Sequence, residues 1–320
     1  MMEFLRKPIT IGVLVILVLM YAVGWYWSRE PAFMVIDLGE DPVVGKATTQ
    51  MLVRSVDTLL NKPGGYLSND VIPPSVFLDN MPNWEFGVLQ QVRDLSKAMR
   101  NDYSRSQTQS LADPDLERAE PLFNNDSDKW IFPSAESKYK EGQEAMQIYL
   151  DRLVDVTEQD AQFYARADNL NEWLGLVAKR LGSLSQRLSA SRPQVRLKTD
   201  LAGDSNAEQS TQANREVLSK VSWWDIDDNF YEARGTAWAL IHFLRAAEID
   251  FQQVLKDKNA LVSLQQIIRE LEATQQPILS PIILNGSGMG VFVNHSLVMS
   301  SYITRANAAI ADLRRLLADG

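Results

Sequence analysis

Nineteen consecutive residues near the amino end, Ile9 to Trp27, carry no charge (ITIGVLVILVLMYAVGWYW). As a helix rising 1.5 Å per residue, this run covers about 28 Å, close to the hydrocarbon thickness of a bilayer. Arg6 and Lys7 precede it, and Tyr21, Trp25, Tyr26 and Trp27 close it. Aromatic side chains favour the headgroup boundary, and basic residues favour the cytoplasmic side of a span. The expectation is one transmembrane helix over 9–27, a cytoplasmic tail over 1–8, and everything after Ser28 outside the cytoplasm, with the lipid bilayer as a partner. A cleaved signal peptide is the competing reading. Ala22-Val23-Gly24 would have to supply the cut, after an apolar run long for that purpose and directly before Trp25. A buried core helix would leave the aromatic and basic flanks without a reason.

Beyond the span lie 293 of the 320 residues, enough to bury a substantial core. The net charge of −9 becomes −10 once Glu3, Arg6 and Lys7 are set aside. An acidic body disfavours nucleic acid and anionic headgroups as general partners. The chain has no Cys, so thiol nucleophiles, disulfides, iron–sulfur clusters, thiolate zinc sites and a lipoprotein signal are excluded. Only His242 and His295 are present, too few for a three-histidine metal site within one chain. No metal and no cofactor is expected.

Helical periodicity dominates the chain after the span. Residues 28–44, acidic and Pro-punctuated, read as a stalk leaving the membrane. A helix is predicted over 45–61, stopped by Pro63-Gly64-Gly65, and another over 85–104. Between them lies an apolar, Pro-containing loop, 63–84, of a length usual for packed or functional loops. Residues 106–134 read as irregular, with Asn124, Asp126 and Asp128 imitating a calcium loop that then lacks its Gly and Glu. A helix is predicted over 136–156. Phe163, Ala167, Leu170, Leu174, Val177, Leu181, Leu184 and Leu188 then repeat at alternating spacings of four and three, which predicts a seam helix over 163–188. Gly175, Gly182 and Ser189 lie beside that seam. Residues 191–222 read as a flexible polar linker. A long helix over 225–258, edged by Gly235, Ala239 and Ala246, is expected to dock on the seam helix and form the core. A shorter helix starts at Asn259, and the last carries Ile303, Ala306, Ile310, Leu313 and Leu317. From Ala273 to Thr304 there is no Asp, Glu, Lys or Arg, and the loop 276–293 within this stretch is again apolar. The fold class is therefore all-α: an anchor helix followed by a bundle of about seven helices, with regions 45–190 and 223–320 packing together.

Several segments in combination, KPGGYLSND (62–70), DNMPNWEFGVL (79–89), QFYARADNL (162–170), LGSLSQRLSAS (181–191), FYEARG (230–235), DKNALVSL (257–264) and LEATQQP (271–277), resemble a group of bacterial membrane-anchored proteins, domain of unknown function 2333. The resemblance covers nearly the whole chain after the anchor and implies a Gram-negative inner-membrane protein; with the orientation read from the span, the body is expected in the periplasm. It brings no activity, cofactor or catalytic residue with it.

Candidate sites rest on residue chemistry. The loops 63–84 and 276–293 are candidate surfaces for an envelope protein partner, with Tyr66, Phe77, Trp84, Asn285, Ser287 and His295 as binding residues. Asn285-Gly286-Ser287-Gly288-Met289-Gly290 could cradle an anion with backbone amides but lacks a phosphate-loop Lys, and a packed turn is the simpler reading. His295 could serve as a general base; a helix-capping or core role is simpler. His242, between Ile241 and Phe243, reads as structural. Asp225, Asp228 and Glu232 share a helical face and could supply the two carboxylates of glycoside cleavage. Attraction of acids to a helix N-terminus explains them as well. A non-enzymatic interaction or scaffold protein is the first reading; a hydrolase or ligand-binding protein acting on envelope glycan or lipid is the alternative.

Overall fold

The computed structural model describes residues 2–37, 39, 43–106, 111–155, 157–158, 160–197, 216–280, 282–287 and 291–319. Its helices are α1 (Met2–Trp27), α2 (Lys46–Asn61), α3 (Asn80–Ala98), α4 (Pro114–Phe123), α5 (Ala135–Val154), α6 (Ala167–Ser189), α7 (Ile226–Asp250), α8 (Gln252–Asp257), α9 (Leu261–Ala273) and α10 (His295–Ala318). Short 3-10 turns sit at Ser75–Phe77 and Trp223–Asp225, and a π-helical turn, Met99–Tyr103, extends α3. The body is all-α with nine helices among the described residues rather than seven. Helix α4 escapes a periodicity reading through its ten-residue length and Pro121 inside it. Its start is well specified, because the Asp113 side chain accepts from the Asp115 and Leu116 amides and Pro114 needs no partner at the first helical position. Helix α8 arises because the long helix breaks at Phe251.

Helix α7 lies at the centre. Residues from Phe230 to Ala247 are buried on almost every side of it, as expected for a helix that is apolar all round. Helix α3 runs parallel to it. Asn83 Nδ2 donates to Asp228 Oδ1 (2.7 Å) near their starts, and Tyr103 packs edge-on against Phe251 (5.3 Å) at their far ends. Between these points the backbones touch. A Cβ on Gly235 would fall on the Trp84 carbonyl, and one on Gly87 would meet the Glu232 carbonyl and, at 2.7 Å, the Thr236 nitrogen. The expected docking of α6 on α7 is thus corrected. Helix α3, with Gly87, takes the place beside α7, and α6 instead packs along α10. Gly175 faces Arg314 and Gly182 faces Asn307. The α6 seam runs from Leu170 to Leu188, whereas Phe163 precedes the helix and stacks edge-on with Tyr103 and Phe251.

Two further boundaries differ from expectation. Helix α3 begins at Asn80, so Met81, Pro82 and Trp84 belong to it and the first apolar loop ends at Asp79. Pro82 is tolerated because amides of a first helical turn have no intrahelical acceptor. The ends of segment 191–222 pair as antiparallel strands, β1 (Gln194–Leu197) and β2 (Glu216–Ser219). Residues 198–215 lie outside the described residues, as does Val156.

The segment after α1 is extended but laid along α7 rather than free. The Pro31 carbonyl accepts from Trp238 Nε1 (3.1 Å), the Met34 amide donates to His242 Nε2 (2.9 Å), and the Val35 carbonyl accepts from Arg54. Asp250, at the far end of α7, then accepts from the Gly45 and Thr48 amides and caps the incoming α2. Leu38 and residues 40–42 of this segment lie outside the described residues. His242 is structural, as expected: its Nδ1 donates to the Trp238 carbonyl (2.7 Å) while Nε2 accepts. Burial lowers its pKa to about 4.

Gly235→Ala should destabilise the protein by roughly 2–3 kcal/mol in urea unfolding, overriding a helix-propensity gain of about 1 kcal/mol. Gly182→Ala, whose Cβ would find its nearest neighbour at 3.6 Å, should stabilise instead; equal effects would refute the tight α3–α7 crossing. For His242 the unfolded chain takes up a proton before the folded one. Stability is therefore full above about pH 6.5 and falls toward pH 4, by about 3 kcal/mol in the limit. His242→Gln should remove that part of the acid loss, measured as the difference between the two proteins' Tm–pH curves.

Candidate functional site

The helix directions bring α1 and both apolar loops to one end of the body. The starts of α3, α7 and α10 and the ends of α2, α6 and α9 meet there. The loop 62–79 is pinned by a buried ion pair between Lys62 and Glu85. The Glu85 carboxylate also accepts from the Leu67 and Ser68 amides, each at 2.9 Å. Burial pushes its pKa up while Lys62 opposes this. The end of α1 seats on this loop: a Cβ on Gly24 would come into van der Waals contact with Pro74 and Leu78, and the Trp27 ring packs on Gly64, where φ is +89° and a Cβ would clash with the indole. A crevice of about 450 Å³ between Tyr21, Trp25, Pro74 and Phe77 marks the junction.

Arg234 ties the second loop to the same place. Only 6% exposed, it binds Glu30 through Nε and Nη2, both at 2.6 Å, and its Nη1 donates to the Thr274 and Gln276 carbonyls at 3.0 Å. The loop after Gln276 returns on itself through an isolated bridge between Asn285 and Asn294. Asn285 Nδ2 donates to the Ser191 carbonyl at the end of α6 (3.1 Å), and its Oδ1 accepts from Asn294. Asn294 Oδ1 caps α10 by accepting from the Leu297 amide (2.9 Å). A crevice of about 320 Å³ lies between this loop, α7 and α10, lined by Phe230, Arg234, Leu279, Val293, His295 and Tyr302.

The predicted site residues divide accordingly. Tyr66 and Trp84 are buried: Tyr66 meets Tyr139 edge-on at 5.5 Å, and Trp84 packs on Trp238 at 5.2 Å. Phe77 is 73% exposed, and Ser287 is exposed. Asn285 serves the loop's own fold, and Gly288, Met289 and Gly290 lie outside the described residues. Asn294, not His295, makes the helix cap. His295 Nδ1 accepts from the Leu284 amide (3.0 Å), the ring faces Phe230, and burial lowers its pKa. The acid group is dispersed among structural partners. Glu232 is held bidentately by Arg187 from α6, and Asp228 accepts from Asn83 of α3. Burial, with Asp227 and Asp79 nearby, raises the Asp228 pKa to about 6. Asp225 offers its backbone carbonyl to Asn229 (2.6 Å). Sequence reasoning passes over Arg234, Glu30, Lys62 and Glu85. Two signals exist: Arg234 leads into the apolar run AWALIHF, and Glu30 is the first carboxylate after the span. Lys62 and Glu85 carry no local signal.

Over residues 3–320 the chain matches a family of uncharacterized proteins conserved in bacteria, DUF2333. The chain belongs to this family. No curated protein and no solved structure matches it. DUF2333 membership thus agrees with the segments from Lys62 to Pro277 that carry the resemblance, and the match takes in α1 as well as the body.

Replacing exposed Phe77 or Phe292 by Ser should change folding stability by less than about 0.5 kcal/mol, whereas Tyr66→Ala or Trp84→Ala should cost roughly 3–5 kcal/mol. Chemical denaturation of the four variants separates the surface pair from the packed pair.

Proposed function

We propose that this protein is a single-pass envelope protein that works by interaction rather than catalysis. Residues 1–8 are cytoplasmic, α1 crosses the inner membrane, and the helical body acts as a scaffold on the periplasmic face. The observation that carries the reading is how surface is divided between α1 and the body. Helix α1 is apolar enough to cross a membrane and is almost entirely exposed over Thr10–Trp27, while its last turns are fitted to the body. Leaving Ile11, Leu14, Val18 and their neighbours in water would cost about 25 cal/mol per Å² of apolar surface, a burden that lipid removes. Cleavage near Gly24 would remove Leu17, Met20 and Tyr21, which line one crevice with Pro74, Phe77 and Leu78, so a retained anchor is supported over a signal peptide. Arg6 and Lys7 support the inward N-terminus.

The interaction reading rests on what each polar candidate is doing. Glu232, Asp228 and His295 are each engaged with a neighbouring helix or loop, which supports structural rather than catalytic duties for them. Alkaline phosphatase fused after Gly320 should be active in intact cells, and a fluorescent protein that matures only in the cytosol should stay dark there. Fluorescence from the second fusion would overturn the orientation. In a strain dependent on the protein, His295→Gln and Asp228→Asn should complement fully; loss of complementation at normal protein levels would favour the hydrolase.

A further inference from the structure

The exposed Trp and Phe side chains beyond α1 are concentrated around the point where α1 joins the body, with exposed aliphatic neighbours beside them. Ile72 and Phe77 (73% exposed) stand on the first loop, Leu279 (98%) and Phe292 (71%) on the second, and Trp223 and Trp224 (77%) on the turn before α7. Exposed Trp130 and Phe132 directly follow Lys129, whose carbonyl accepts from Asn69 Nδ2 of the first loop (3.1 Å). Among the described residues, Phe33 is the one exposed Trp or Phe of the body that lies elsewhere, in the strap along α7. Three contacts hold the loops at one end: Trp27 on Gly64, Arg234 on Glu30 and Gln276, and Asn285 on Ser191. The Val221 amide, bonded to the Ala190 carbonyl at 2.9 Å, brings the Trp223–Trp224 turn to the same end of α6.

The chain leaves no room between this rim and a membrane. Trp27 is already against Gly64, and Glu30, three residues later, is already bound to Arg234. Three residues span about 10 Å at most. A body tethered so closely cannot stand clear of a leaflet that α1 passes through. The rim chemistry suits that leaflet. Residues 71–78 carry no charge, nor does the stretch from Ala273 to Thr304, although the body as a whole is strongly acidic. Aromatic side chains are the ones that favour the headgroup boundary.

Resting on the anchored reading, we propose that the end of the body surrounding α1 is itself a membrane-contact surface. The exposed apolar side chains of both loops and of the Trp223–Trp224 turn lie in the boundary between headgroups and acyl chains of the leaflet from which α1 emerges. The body is seated on the bilayer, not hung above it. The contact is apolar, so it needs no anionic lipid.

The absence of Cys makes the test direct. Single variants Phe77→Cys, Phe292→Cys, Val15→Cys in α1, and Val262→Cys at the far end of the body are spin-labelled in the full-length protein in phosphatidylcholine nanodiscs. All four sites are exposed, so folding is preserved. Collision with lipid-soluble oxygen is compared with collision with a water-soluble nickel chelate. Labels at 77 and 292 should show an oxygen-to-nickel ratio several-fold above that at 262 and approaching that at 15. If 77 and 292 match 262 while 15 stays in lipid, the seating is wrong and the anchor stands. If 15 also meets nickel freely, the anchored reading falls with it. Labels at 77 and 292 shielded from both probes would mean that a second copy covers the rim, which also overturns the proposal.

Discussion

A guanidinium buried between four oxygens holds this protein in its working shape. Arg234 lies one residue before the glycine at which α7 touches α3, and its donors are taken by Glu30 and by the carbonyls of Thr274 and Gln276. A cation taken out of water repays its desolvation only when its donors are matched, and breaking such a pair from one side costs about 3–5 kcal/mol. Here the matching oxygens come from two separate parts of the chain: Glu30 at the exit of the apolar helix, and Thr274 and Gln276 where the chain leaves α9 for the second loop. Because the ion pair must form, these parts must meet. The placement of the apolar loops beside α1 is a consequence of that requirement.

The α3–α7 crossing makes the meeting possible. Gly87 and Gly235 bring two backbones into contact, which lets Trp84 and Trp238 stack beside the crossing and lets Asn83 reach Asp228. Trp238 and His242, one turn apart on α7, then bind the Pro31 carbonyl and the Met34 amide. The strap therefore reads the same helix that the core is built around. An extended segment has backbone groups to satisfy, and a central helix with two polar side chains in register satisfies them without a sheet.

How much of this is legible in the sequence depends on whether the information is local. Periodicity finds α2, α5, α6, α9 and α10 because each buries one stripe, and length alone finds the apolar span. Neither finds the partner of each helix. Gly175 and Gly182 mark α6 as closely packed, but nothing in their spacing says that the neighbour is α10 rather than α7. Gly87 sits in a helix whose apolar stripe is explained without it, so its role shows only beside Gly235. Phe163 continues the seam in register yet belongs to a cluster with Tyr103 and Phe251, since the helix starts four residues later. The loop 63–84 looks longer in sequence than it is, because Pro82 resembles a stop until it is placed in a first turn. The acids at 225–232 look like one group on a helical wheel. In space α3 and α6 claim different members, because the neighbours of a central helix lie on different sides.

The same logic separates two kinds of apolar loop residue that look alike in sequence. Tyr66 and Leu67 are apolar because they are core, locked by Glu85 onto the end of α2; Ile72 and Phe77, further along the same loop, are apolar with nothing over them. A soluble protein has reason to remove side chains of the second kind, since large exposed patches invite association. Their retention beside a helix that is itself apolar on every exposed face points to one shared environment for both. On the proposed anchoring, a bilayer would supply that environment at no cost in specificity, whereas a protein partner would need a surface complementary to a rim interrupted by α1. Charge brackets the exposed part of the first loop at Asp70 and Asp79 but is absent from residues 71–78 between them, as it is from Ala273 to Thr304.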